Sequence, residues 1–181
     1  FVSDGVWSKE NIDLYIVSGD RDLLQLINEK TYVCLPNGNF KNIVVYDSEK
    51  TFEKYGYYPH QVVDYKALVG DPSDNIPGIK GVGDKTAIQL LKEYGSMDEI
   101  YRNINKVEGR AKVLIAEGVE QAEFSRKLAQ IEQNVGIDVH LTDCILKDLD
   151  RKTLELTFKK YSFKSLLGRL DEIFGKEILT S

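Results

Sequence analysis

Three glycines within six residues, in the run PGIKGVGDKTAIQLL from Pro77 to Leu91, constrain this chain more than any other feature. Before them, Val62, Val63, Tyr65, Leu68 and Val69 recur at helical spacing; after them, Ala87, Leu90 and Leu91 form the inward face of a helix predicted from Thr86 to Tyr94. Gly78, Gly81 and Gly83 therefore punctuate a tight turn between two helices, with Asp84 or Lys85 opening the second and Gly95 stopping it. Backbone amides at such a turn and helix start form an anion site, suited to a DNA phosphate whatever base it carries. Glycine lets the backbone approach that phosphate closely. Lys80, Lys85 and Lys92 add positive charge, against Asp84 and Glu93. A nucleotide loop is a poor alternative, because the spacing fits neither GxGxxG nor GxxxxGK[ST]. A plain helical corner would not require so many glycines so close together.

Two carboxylate pairs accompany the turn. The segment DLYIVS, from Asp13 to Ser18, predicts a buried strand, and it runs into Gly19 and Asp20. Leu23, Leu24, Leu26 and Ile27 then supply a helical stripe, with Asp22 as its expected N-cap, so the unit is strand-loop-helix of α/β type. Asp20 and Asp22 thus stand at the carboxyl end of a strand, where open α/β sheets place ligands. Asp71 and Asp74, in LVGDPSDNIPG, are spaced to share one face of a helical turn. Four carboxylates of this kind suit hard divalent ions, Mg²⁺ or Mn²⁺. The chemistry that uses them is phosphodiester hydrolysis, in which paired ions lower the pKa of an attacking water and neutralise the leaving oxygen. Either pair alone reads more simply as a cap or a turn; two pairs, the second leading into the glycine turn, favour the metal. Neither His60 nor His140 has a partner that suggests a triad.

The remaining elements are a hairpin, Thr31 to Leu35 and Ile43 to Tyr46 around Asn37-Gly38, and a helix from Ser48 to Tyr55 capped by Ser48. Ser96 and Glu99 have capping-box spacing for another helix. Further helices are predicted from Arg110 to Glu117 and Glu120 to Ile131, a strand from Val135 to Leu141, and two short helices between Lys152 and Phe174. No apolar run approaches the roughly 18 residues of a membrane span, and no signal-peptide pattern opens the chain, so the expectation is a cytoplasmic protein without membrane contact. Cys34 and Cys144 share no CxxC spacing, which argues against zinc and against a disulfide scaffold. A net charge of −5 is awkward for a DNA-binding protein; what matters is whether positive charge gathers on one segment.

SGDRDLLQL followed by YKALVGDPSDNIPGIKGVGDKTAIQLL resembles the 5′→3′ exonuclease domain of bacterial DNA polymerase I and its stand-alone and flap endonuclease relatives, with the likeness running from Ile12 to Gly175. The resemblance implies an α/β fold: the C-terminal part of a 5′ nuclease (resolvase-like, PIN-like) plus a helix-hairpin-helix DNA-binding subdomain in its helix-three-turn-helix form. Residues 1–60 would be nuclease core with a hairpin, 61–134 the DNA-binding subdomain with its carboxylates, and 135–181 a strand and helices packing back. It implies that Asp20, Asp22, Asp71 and Asp74 are second-site ligands in a two-metal mechanism using Mg²⁺ or Mn²⁺. It implies that Gly78, Ile79, Lys80, Gly81, Val82, Gly83, Lys85 and Thr86 grip duplex DNA, with K⁺ held by carbonyls of the turn. The partner would be DNA with a 5′ end or flap, bound by a monomer. One departure lies at the front, where the family's acidic cluster would fall before Phe1; Asp4 is too close to Asp20 to replace it. The chain is therefore expected to be truncated and to hydrolyse DNA poorly alone. The alternative is a non-catalytic helix-hairpin-helix module whose aspartates are only caps and turns; a phosphatase or nucleotide-binding α/β domain has only the strand-loop-helix shape behind it.

Overall fold

The computed structural model describes residues 12–136, 144–145 and 150–175. They fall into two compact units, one up to residue 136 and one from 137 onward. The first unit begins with a three-stranded sheet of β1 (Leu14–Val17), β2 (Thr31–Asn37) and β3 (Asn39–Tyr46), in that spatial order. β1 runs parallel to β2, with Leu14 opposite Thr31, and β2 runs antiparallel to β3, with Val33 opposite Tyr46. Gly38, at φ +80°, makes the hairpin turn predicted from Asn37-Gly38. β1 exposes Tyr15 and Val17 on one face, whereas Val33, Cys34 and Leu35 of the central strand are buried.

Between β1 and β2 the chain forms a short 3₁₀ helix, Arg21–Leu26. Its cap is Asp20, not the expected Asp22: the Asp22 amide donates to Asp20 Oδ1 at 2.9 Å. Leu24 and Ile27, three residues apart, are both buried, and that spacing matches the 3₁₀ period. The Asp22 carboxylate, in the first turn, is thereby not used as the cap.

Among the described residues, the first unit also has six α-helices: α1 (Ser48–Tyr55), α2 (Val62–Val69), α3 (Asp84–Tyr94), α4 (Met97–Arg102), α5 (Gly109–Glu117) and α6 (Val119–Ala129). α1 is capped by Asp47 rather than by Ser48, since Asp47 has the extended backbone of a cap and accepts from the Lys50 amide at 2.8 Å. Ser96 caps α4 as expected, accepting from Glu99. α2 packs chiefly on α6. Its Ala67 and Leu68 share a core with Ile79 and Val82 from the glycine turn, Leu91 of α3 and Ile115 of α5. Each buried leucine, isoleucine or valine among them contributes about 1.5–3 kcal/mol. Asp64, inside this packing, accepts from the Met97 amide at 2.8 Å and pairs with Arg126 Nε at 3.1 Å, and Arg126 continues to Asp98 at 2.8 Å. Burial pushes the Asp64 carboxyl up, while the Met97 amide and Arg126 pull it back.

Among the described residues, the second unit holds three α-helices where two were expected between Lys152 and Phe174: α7 (Arg151–Lys160), α8 (Lys164–Leu167) and α9 (Leu170–Phe174). Arg151 pairs with Asp171 and donates to the Gly175 carbonyl at 2.9 Å. Val135 and Gly136 carry no strand; the rest of the strand expected there, like Asp4 and His140, lies outside the described residues. Cys34 is buried, Cys144 exposed, and both are free. No described helix is long and apolar enough to cross a membrane.

Candidate metal centre and the adjoining turn

α2 ends at Gly70, whose φ of +84° breaks the helix. Asp71 then turns extended and caps a 3₁₀ turn, Pro72–Asp74, accepting at Oδ1 from the Ser73 amide at 3.0 Å and the Ser73 hydroxyl at 2.5 Å. Mutual backbone hydrogen bonds between Asp71 and Ile76, at 2.8 and 2.9 Å, close the loop. Closure aims Asp71 and Asp74 at the side chain of Lys66, one turn back on α2. Asp22 reaches the same point from the sheet side. Lys66 Nζ contacts Asp22 Oδ1 and lies 2.7 Å from Asp71 Oδ2 and 3.8 Å from Asp74 Oδ2. One oxygen from each of the three carboxylates lies within 4.8 Å of the others. Lys66 and then the Ser73 hydroxyl hold the Asp71 carboxyl down at about 2.

Of the four aspartates singled out by sequence, three converge. Asp20 does not join them, because its carboxylate faces the Asp22 amide as a cap. Three carboxylates against one ammonium leave two formal negative charges at this point. An all-oxygen donor set, half open to solvent through Asp74, suits a hard divalent ion that keeps some of its waters. The cation among these carboxylates in the structure is the Lys66 ammonium.

The loop leads directly into the glycine turn. Gly78, at φ +61°, is pressed on Gly70: a Cβ there would stand 2.2 Å from the Gly70 nitrogen and 2.4 Å from the Val69 carbonyl carbon. Its amide donates to the Ser125 hydroxyl at 3.0 Å, and the Ile79 and Val82 amides bond to Leu68 and Ile79 carbonyls. Gly78, Ile79 and Val82 thus seat the turn in the core rather than presenting their amides outward. Lys80, Gly81, Gly83 and Lys85 are exposed, and Thr86 is half-buried. Gly83 has extended backbone and open space around it, just before the eleven-residue helix α3. The Tyr65 hydroxyl, pushed up by burial, donates to Asp84 Oδ1 at 2.8 Å, so α2 steadies the start of α3.

Sequence reasoning missed Lys66, Ser125 and the Asp64–Arg126 pair. A signal existed for the first and third: Asp64 and Lys66 interrupt VVDYKALV, a helix apolar on nearly every side, where unpaired charge is expensive. Ser125 had none, lying 47 residues from Gly78.

Residues 57–152, more than half of the chain, match the family described as 5′-3′ exonuclease, C-terminal SAM fold. The chain belongs to this family. DNA polymerase I of Caldicellulosiruptor bescii is 40% identical over 161 residues, covering 88% of this chain and 19% of that protein. The 5′-3′ exonuclease of Bacillus subtilis is 35% identical over 167 residues, covering 92% of this chain and 56% of that protein. The chain thus spans about a fifth of the polymerases and just over half of the exonuclease. Among solved structures, T5 5′-exonuclease with bound divalent metal ions (zinc) is similar at a TM-score of 0.55 and 22% identity, over 65% of this chain and 42% of that one. The catalytic core of Rad2 in complex with DNA substrate is similar at 0.51 and 18%, over 87% and 55%. These likenesses show the 5′ nuclease fold, mixed helix and sheet with a helical C-terminal part.

Proposed function

We propose that this chain supplies the divalent-metal and duplex-binding half of a 5′-3′ exonuclease and structure-specific flap endonuclease that hydrolyses DNA phosphodiester bonds. The convergence of Asp22, Asp71 and Asp74 on one cation position, in a loop continuous with the glycine turn, carries the proposal. In this reading those three carboxylates hold one ion of a two-metal site, Mg²⁺ or Mn²⁺, and Asp20 orders the turn that presents Asp22. A bound ion there supplies a more acidic water and neutralises charge on the leaving oxygen. Lys80, Lys85 and the open backbone at Gly81, Gly83 and the start of α3 hold phosphates of the duplex, with K⁺ on carbonyls of the turn, as the sequence resemblance implies. Contacts of this kind fix position without reading sequence. The protein acts as a monomer on DNA with a 5′ end or flap.

A 5′-flap cleavage assay with Mg²⁺ on the full-length protein tests the proposal. Replacing both Asp71 and Asp74 with Asn is expected to lower cleavage by about 100-fold or more, the equivalent of losing a few kcal/mol of charge stabilisation. Undiminished cleavage would refute the ligand assignment. A non-catalytic DNA-binding module remains the second reading, favoured by the capping roles of Asp20 and Asp71. It requires duplex affinity indifferent to EDTA and no divalent ion at Asp22.

A further inference from the structure

Lys66 stands in an apolar helix with its residue only 8% exposed, yet its ammonium meets carboxylates from two separate segments of the chain. Buried ammonium and gathered carboxylates are each costly alone. Here each offsets the other. The three carboxylates that surround Nζ are the same three that are placed to hold a divalent cation. Two cations held by one set of oxygens repel at contact distance, where screening by solvent is weak.

We infer that Lys66 is a tethered counter-cation: it occupies the divalent-ion position when no ion is bound and has to leave for an ion to enter. The inference rests on the metal-centre reading above and deepens it. Lysine is suited to the role because its ammonium is a point charge on a flexible four-carbon stem, able to withdraw without moving the helix. Affinity for the ion is then set partly by the ion pairs that must break. Removing the ammonium while keeping the stem should tighten ion binding and weaken the ion-free fold.

Calorimetric titration of Mn²⁺ into the full-length protein tests this, comparing the sites that Asp71→Asn abolishes. Lys66→Met is expected to bind there about tenfold more tightly, the equivalent of one charged hydrogen bond no longer broken. Lys66→Arg, which keeps the charge, should stay near wild type. The melting temperature of Lys66→Met in EDTA should fall below wild type and recover further on adding Mn²⁺. Should that variant fail to fold, NMR of the wild-type lysine ammonium groups with added Mg²⁺ decides, with the Lys66 signal expected to shift or vanish. Unchanged or weaker Mn²⁺ affinity in Lys66→Met, or a Lys66 signal unmoved at saturating Mg²⁺, overturns the inference while Asp71→Asn still confirms the metal centre. Loss of nothing on Asp71→Asn overturns both.

Discussion

Gly78, Gly81 and Gly83 look alike in sequence, but their surroundings rank them, and alanine at each should give three different costs. At Gly78 an added Cβ meets backbone atoms of Val69 and Gly70 at 2.2–2.6 Å, distances that flexible side chains cannot relieve. The left-handed backbone adds about 1–2 kcal/mol for a residue with a Cβ, and forcing two backbones apart adds about 1–3 kcal/mol. Any shift also strains the Gly78 amide's bond to Ser125, about 1 kcal/mol. Gly78→Ala should therefore lose about 3–6 kcal/mol, a large share of the 5–15 kcal/mol typical of a domain, and about 10 °C or more of melting temperature. Gly81, at φ +91°, meets only Leu114 methyl groups at 3.4 and 3.6 Å, so its alanine should cost the backbone term alone, about 1–2 kcal/mol. Gly83 has nothing within 4 Å and no positive φ, and its alanine should fall within about 0.5 kcal/mol of wild type. Urea denaturation followed by far-UV circular dichroism measures all three. Near-wild-type stability for Gly78→Ala, or Gly83→Ala as the worst of the series, would refute the packing argument.

Ser125→Ala should cost about 1–3 kcal/mol in the same assay, because it strands the buried Gly78 amide without an acceptor; a loss below the error of the method would mean that water replaces the hydroxyl. Asp71 gives a pH signature. Its folded pKa of about 2 lies below the ordinary carboxylate value near 4, so the ionised form stabilises the fold above pH 4, and that contribution drains away as pH falls through 2. In EDTA, the stability difference between wild type and Asp71→Asn should shrink from pH 5 to pH 2, and a difference independent of pH would contradict the Lys66 pairing.

The turn was legible because glycine encodes positive φ. Gly38 and Gly95 reverse or end their elements where the sequence placed them, and Gly78 and Gly81 adopt the left-handed backbone such a turn needs. Choices between neighbouring cap formers were not legible. Asp20 and Asp22 are both able to cap, as are Asp47 and Ser48, and the winner in the first pair follows from the joint burial of Leu24 and Ile27, which sets the register of the 3₁₀ helix. That register also decides which aspartate faces α2. The charge on Lys66 stood out in an apolar helix, but its partner was out of reach for a related reason: Asp22 lies 44 residues away, a proximity created by the sheet and α2 meeting. Helical spacing relates only residues within a turn or two.

Anomalous diffraction from crystals grown with Mn²⁺ tests the central claim most directly. A peak bounded by the carboxylates of Asp22, Asp71 and Asp74, with Asp20 still capping its helix, is the expected result. Manganese bound only elsewhere on the protein, at a concentration that supports cleavage, would contradict it.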